Sequence, residues 1–254
     1  MNDFFADIVS VNTSDNTSTS VLVQRPQDHV EFDIAPLDVR KTTSLLQRVK
    51  TNTATGPDNI PAFLLNKLSN YIAPNLTLLY NSSIANGLYP ADWKKANVTP
   101  IYKNKGSKSE VGNYRPISIL PIVGRILEKH IGNQLQQYCD ISGVIPDQQF
   151  GFRKNSSCEQ LLLAAMDSWI EQVADGKLVG ALLLDLSKAF DSISHEQLLQ
   201  ELKNIGCSRV VIRWFSSFLE GRRQRVKIMD RISSWRQVER GSPRALRSVR
   251  CSLT

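Results

Sequence analysis

The sequence predicts an α+β protein, because helical patterns fill its first half and strand patterns follow them. Residues 178–185, LVGALLLD, form an unbroken apolar run of strand length. Such a run is typical of a strand that is buried on both faces and covered by helices. Residues 223–230 and 233–240, RQRVKIMD and SSWRQVER, are typical of a two-stranded ribbon.

The helical patterns begin after a polar segment. Residues 1–30 are rich in Ser, Thr, Asn and Asp, which predicts a disordered linker. Apolar residues at helical spacing predict helices at 37–49, 61–72 and 75–88, the last of them closed by Gly87. Between the first two helices, Gly-Pro-Asp-Asn favours a turn, and residues 96–103 are typical of a short strand.

Further helices are predicted on both sides of the apolar run. Residues 121–140 carry an apolar face, and residues 157–176 end on Gly176. Residues 194–206 open with the spacing of a capping box, from Ser194 to Gln197, and another helix follows.

Composition limits the function classes. The 254 residues are 41% hydrophobic, enough for a real core, and hold 31 Lys plus Arg against 24 Asp plus Glu. This net charge of +7 favours polyanionic partners without establishing one. The four cysteines form no C-x-x-C pair, so neither a zinc site nor a disulfide framework is indicated. No apolar run or leader pattern indicates a membrane protein or a secreted one, so an intracellular location is expected.

Six motifs follow one another along the chain: TGPDNIP, ADWKKANVTPIYKNKG, NYRPISIL, QFGFRKNSSCEQLL, LLLDLSKAFDSISHEQLL and GSP. With these motifs, the chain resembles the reverse transcriptase domain of non-LTR retrotransposons, especially the jockey-like kind, from about Asp38 to Pro243. The resemblance implies a right-hand polymerase fold with mostly helical fingers and an antiparallel palm sheet, incomplete here. It divides the chain into a linker (1–30), fingers (31–177), a partial palm (178–243) and a tail (244–254).

The resemblance also implies partners and chemistry. The expected partners are an RNA template, a DNA primer and deoxynucleoside triphosphates, in the cytoplasm and nucleus. Asp185 matches the first catalytic aspartate, a ligand for Mg²⁺ in a two-metal mechanism. Without the surrounding motifs, an aspartate that caps the following turn would be the simpler interpretation.

Residues just after Asp185 match the nucleotide pocket of the family. Phe190 matches the bulky residue under the incoming sugar, which excludes a 2′-hydroxyl, and its alternative is an ordinary core aromatic. Leu186 and Ala189 fall in the segment whose backbone lines the triphosphate.

Basic residues match the expected phosphate contacts. Arg115 and Lys103 resemble triphosphate ligands, for which an arginine fork and a lysine charge are suited. Arg153 is a candidate for template or structural contacts. For each of the three, the alternative is a solvated charge or an ion pair. A further basic cluster fits either nucleic-acid backbone or a solvated hairpin: Arg222, Arg223, Arg225 and Lys227.

The last residues depart from the family pattern. After Pro243 the family continues with Gln-Gly and later a Tyr-x-Asp-Asp pair, whereas this chain reads RALRSVRCSLT. A one-base shift of codons for that stretch can spell Gln-Gly-Ser-x-Leu-Gly-Pro-Leu-Leu-Phe, which indicates a frameshift near Pro243 and an out-of-frame tail. Without the later aspartates, we expect an inactive RNA-directed DNA polymerase by descent. The alternative is a non-catalytic nucleic-acid-binding fragment, and a third possibility is an unstable product of a decayed gene.

Overall fold

The computed structural model describes residues 31–153, 155–184 and 194–238. Within these ranges the α-helices are α1 (Val39–Gln47), α2 (Ala62–Lys67), α3 (Ser69–Asn86), α4 (Ile122–Ile141), α5 (Cys158–Ala174), α6 (His195–Asn204) and α7 (Arg209–Leu219). The strands are β1 (Lys95–Tyr102), β2 (Tyr114–Ile119), β3 (Arg222–Ile228), β4 (Arg231–Ile232) and β5 (Arg236–Val238). The predicted α+β class is confirmed.

Side-chain caps fix several helix ends. Asp38 accepts a hydrogen bond from the Lys41 backbone N–H at the start of α1. The capping box predicted at Ser194 does not form, because its side chain makes no cap hydrogen bond. The same spacing closes a reciprocal box at the start of α5, between Ser157 and Gln160. The sequence spacing thus permits a capping box, but the box forms only where the serine side chain is oriented toward the backbone N–H three residues later.

The predicted Gly-Pro-Asp-Asn turn is present and lies against the junction of β2 and α4. The Asn59 backbone N–H donates to the Gly56 carbonyl oxygen over 3.2 Å. A Cβ on Gly56 would lie 2.7 Å from the Pro121 nitrogen, so only glycine fits at this contact. The turn therefore ties the segment between α1 and α2 to the start of α4.

Helices from both ends of the described chain share one hydrophobic core. Trp214 on α7 is buried, and its Nε1–H donates to Ser83 Oγ on α3 over 3.1 Å. Tyr80 on α3 donates its hydroxyl to the Val123 carbonyl oxygen on α4 over 2.7 Å. The largest fully buried side chains come from five helices and from the residue that follows α6: Leu46, Tyr80, Leu127, Ile131, Leu135, Leu202, Ile205, Trp214, Phe215, Phe218 and Leu219.

The sheet joins a hairpin of the first half to the ribbon of the second half. Strands β1 and β2 pair antiparallel, and β3 pairs antiparallel with β4 and β5, which confirms the predicted ribbon. Strand β3 also pairs with β1 in parallel, which the sequence did not predict. The order is β2-β1-β3-β4, with β5 on β3.

The buried strand predicted at residues 178–185 is wrong for its described part, residues 178–184. This run belongs to no strand, and the side chains of Leu182, Leu183 and Leu184 are more than four-fifths exposed, at 84%, 90% and 81%. A strand is buried on both faces only when neighbouring strands and covering helices surround it. Within the described ranges no strand pairs with this run.

Helix α5, which precedes the run, also buries none of its residues. Its exposed apolar side chains include Leu162, Trp169 and Ile170. In the part of the chain that the structure describes, no helix has the length and apolarity needed to cross a membrane.

Candidate nucleic-acid interface

One face of the sheet carries a series of basic side chains. Residues that oppose each other on neighbouring strands point to the same face, and every second residue along a strand shares that face. Arg115 opposes Ile101 on β1, while Arg223 and Arg225 oppose Lys95 and Asn97. The basic residues on this face, with Lys103 just past the end of β1, are called the basic sheet face: Lys95, Lys103, Arg115, Arg223, Arg225 and Lys227.

Arg225 is held in place on this face by two contacts. Its Nε–H donates to Asn97 Oδ1 over 2.8 Å. Its guanidinium also lies 4.5 Å from the centroid of the Trp235 ring. Cations beside aromatic rings are the combination that single-stranded nucleic acids contact in many proteins. Because Asn97 and Trp235 fix the guanidinium, the side chain loses little freedom when it binds a phosphate.

Lys103 and Arg115 lie at the same end of the β1–β2 hairpin. The Lys103 backbone N–H donates to the Asn113 carbonyl oxygen over 2.8 Å, which continues the pairing beyond Tyr102. The Lys103 ammonium donates to the Gly112 carbonyl oxygen over 2.8 Å, and both Lys103 and Arg115 are exposed. The structure therefore brings together the two residues that sequence analysis assigned to the triphosphate.

Arg222 does not belong to this face. It precedes Arg223 on β3 and so points to the opposite side of the sheet, where its side chain is buried. Its guanidinium donates to the Phe218 carbonyl oxygen over 2.9 Å and stacks 4.7 Å from the Phe218 ring centroid. We therefore exclude Arg222 from the predicted nucleic-acid contacts.

A buried cluster of Tyr89, Glu128 and Arg222 lies beneath the sheet. The Tyr89 hydroxyl donates to Glu128 Oε1 over 2.7 Å, and Arg222 Nη2 lies 4.0 Å from the same oxygen. Burial raises the pKa of Glu128, against the attraction of Arg222. Burial likewise lowers the pKa of Arg222, so for both groups desolvation outweighs the ion pair.

Sequence analysis did not identify this cluster, although one signal was available. Glu128 lies four residues after Gly124 and three before Ile131, within the buried stripe of α4. A glutamate in such a stripe needs a polar partner, because an unpaired buried charge is strongly unfavourable. The partners come from distant segments, so the pattern alone could not name them.

Arg153 makes ion pairs and a hydrogen bond within the protein. Its guanidinium lies 3.9 Å from Asp140 Oδ1 and 3.5 Å from Asp147 Oδ1. It also donates to the Pro146 carbonyl oxygen over 3.3 Å. These contacts fasten the loop after α4 to the end of that helix, which favours the structural interpretation of Arg153 over a template contact.

The predicted catalytic and nucleotide-pocket residues after the apolar run lie outside the described residues: Asp185, Leu186, Ala189 and Phe190. Across 31–153, 155–184 and 194–238, no group of three or more His, Cys, Asp or Glu could hold a metal ion. Carboxylate clusters of the kind that Mg²⁺ prefers are therefore not found in these ranges.

Comparison with known proteins agrees with the motifs. Residues 101–246 match the family model described as reverse transcriptase (RNA-dependent DNA polymerase). The chain is 28% identical over 214 residues to the RNA-directed DNA polymerase from mobile element jockey of Drosophila melanogaster, covering 84% of this chain and 23% of the relative. It is 27% identical over 214 residues to the probable RNA-directed DNA polymerase from transposon X-element of the same species, covering 84% and 24%. The chain thus spans about a quarter of the length of these relatives.

Proposed function

Since the chain belongs to the reverse transcriptase (RNA-dependent DNA polymerase) family, we propose that its basic sheet face binds the nucleic acid and nucleotide of an RNA-directed DNA polymerase. In this proposal Lys103 and Arg115 contact the triphosphate of the incoming deoxynucleotide. Arg223 and Arg225, with Trp235, contact the backbone and bases of the template–primer.

The alignment of these cations on one side of the sheet is the observation that supports the proposal. They come from three strands and from sequence positions more than 100 residues apart, and pairing of β1 with both β2 and β3 puts them on one face. The two roles also fit the two kinds of side chain. Arginine recognises phosphate with a planar fork and stacks on aromatic rings, while lysine supplies a point charge.

Asp185 is the proposed catalytic carboxylate, and Phe190 the proposed residue that selects deoxyribose; the backbone of Leu186 and Ala189 would line the triphosphate. These three roles rest on the family resemblance. When bound, Mg²⁺ would neutralise phosphate charge and activate the primer hydroxyl. One matching aspartate does not complete a two-metal site, so we expect these 254 residues to bind a template–primer without extending it.

A non-catalytic nucleic-acid-binding fragment is therefore the second candidate function. It is favoured by a specific observation: the basic sheet face is complete within residues 95–238, independently of any metal site. The two candidates differ in chemistry and share the same binding surface.

Primer extension distinguishes the two candidates. The 254-residue chain is incubated with an RNA template, a DNA primer, deoxynucleotides and Mg²⁺, beside an Asp185→Asn variant. We expect salt-sensitive binding that is equal in the two proteins, and no extended primer in either. Extension by the wild type that is abolished in the Asp185→Asn variant would contradict the binding-only proposal and establish the enzyme.

A further inference from the structure

A groove of about 550 Å³ lies between α1 and α4, and no strand residue is among those that line it. Four cationic side chains line it: Lys41, Arg48, Arg125 and Lys129. No Asp or Glu is among the lining residues, and the remaining lining side chains are apolar or uncharged apart from His130. This composition favours an anionic ligand.

Arg125 carries an unsatisfied donor in this groove. Its Nε is buried and has no hydrogen-bond partner, one of two such side-chain atoms in the described part of the chain. Its charge is drawn toward Glu128 and Asp58, but neither carboxylate bonds to this nitrogen. Buried charged donors are costly to leave without an acceptor. This nitrogen has no surface open to solvent, so a bound anion would supply the missing acceptor only if the Arg125 side chain turned its Nε toward the groove.

The groove is elongated, which favours a strand over a single small anion. Arg125, Lys129, Asn133 and Gln137 follow one another at four-residue steps on α4. At a rise of 1.5 Å per residue, this row is about 18 Å long. That length corresponds to about five nucleotides if the strand keeps the stacked rise of a duplex strand, about 3.4 Å per nucleotide.

The other lining residues suit the rest of a nucleotide. Leu45 and Val49, both half-buried, provide an apolar floor above the buried Ile122 and Ile126, and the amides of Asn133 and Gln137 provide donors and acceptors beside it. Lys41 on α1 and Arg48, the residue that follows α1, lie on the opposite rim. A single strand could thus place its phosphates on the two basic rims and its bases over the apolar floor.

We propose that the groove between α1 and α4 binds a single-stranded nucleic-acid segment as a second site, separate from the basic sheet face. The groove begins at Ile122, beyond one end of β2, whereas Arg115 lies near the other end of that strand. The four residue-to-residue steps from Arg115 to Ile119 extend over about 13 Å. The two sites therefore differ in their residues and can be altered independently.

Fluorescence anisotropy with a labelled 12-nucleotide single strand tests the proposal. The Lys41→Glu/Lys129→Glu variant is compared with the wild-type chain and with a Lys67→Glu/Lys203→Glu control. All four lysines are exposed, and both variants change the net charge equally. We expect at least about tenfold weaker binding for the groove variant. Its salt-dependence slope should be smaller by about 1.4, since each lost phosphate contact on a single strand removes about 0.7.

Three results would contradict the proposal. The first is a loss of affinity in the control as large as in the groove variant, because net charge would then explain both. The second is unchanged binding by the groove variant. The third is displacement of the strand by inorganic tripolyphosphate that is added at the same total phosphate concentration as the strand, because the groove would then be a site for small anions.

If the glutamate substitutions disturb folding, a Lys41→Gln/Lys129→Gln variant whose circular dichroism melt matches that of the wild type gives the same test. The proposed function is judged from other variants, on the sheet and at Asp185, so the two can fail separately.

Discussion

Replacing Glu128 by alanine is expected to lower the free energy of unfolding by about 3 to 5 kcal/mol. The change removes the carboxyl group that faces Arg222 and leaves that guanidinium buried without its counter-charge. It also removes the acceptor of the Tyr89 hydroxyl. Urea unfolding, followed by circular dichroism at neutral pH, measures the difference from the wild-type chain.

Two further variants separate this effect from the general loss of an ion pair. Asp147→Ala breaks a contact to Arg153 whose aspartate is almost fully exposed, and we expect a loss below about 1 kcal/mol. Glu128→Met combined with Arg222→Met replaces the buried pair by apolar groups and should recover most of the stability. If Glu128→Ala were no more destabilising than Asp147→Ala, the buried cluster would not have the proposed role.

Replacing Trp214 by alanine is expected to cost about 3 to 5 kcal/mol of unfolding free energy. Trp214 is buried at the centre of an aromatic cluster, with ring centroids 5.4 Å from Tyr89, 5.2 Å from Phe215 and 5.3 Å from Phe218. Its indole N–H also donates a hydrogen bond to Ser83 Oγ on α3. The loss therefore measures how strongly α7 contributes to a core shared with the first half of the chain.

Trp169→Ala is the matched control for this prediction. Trp169 lies on α5 and is 41% exposed, so its removal should change the unfolding free energy by less than about 0.5 kcal/mol. Equal effects of the two substitutions would contradict the shared core. A second unfolding transition that appears only in the Trp214 variant would contradict it as well, because one cooperative core unfolds in one step.

Sequence patterns correctly predicted the helix ends, turns and ribbon that are determined by residues a few positions apart. The helix that ends at Gly87 does so with the left-handed backbone that glycine permits, at φ 61°. The turn at Gly56 and the ribbon of β3 and β5 were also readable, because turn residues and strand patterns act over a few positions.

Features that depend on distant partners were not predictable in this way. The parallel pairing of β1 with β3 joins Lys95 to Arg223, and no local pattern specifies that partner. The apolar run at 178–184 shows the converse, since its composition predicts a strand but no described strand pairs with it. Burial of a strand is a property of its neighbours as much as of its own residues.

The residues of the candidate site also fall into those that the sequence identified and those whose position depends on the folded sheet. Lys103 and Arg115 were named from motifs, and the hairpin brings them together because Arg115 opposes Ile101 on β1, two residues before Lys103. Arg222 was grouped with Arg223 by sequence proximity, but alternation along β3 turns it inward. The roles of Asp185 and Phe190 and the out-of-frame tail remain predictions, since these residues lie outside the described part of the chain.

Binding of a labelled RNA–DNA template–primer duplex to an Arg115→Glu/Arg223→Glu variant tests the basic sheet face most directly. Both arginines are exposed and come from different strands, and the Lys67→Glu/Lys203→Glu control carries the same change of charge. We predict at least about tenfold weaker binding than in the control, with a salt slope smaller by about 1.8 because two duplex phosphate contacts are lost. Equal affinities of this variant and the control would contradict the assignment of the basic sheet face to nucleic-acid binding.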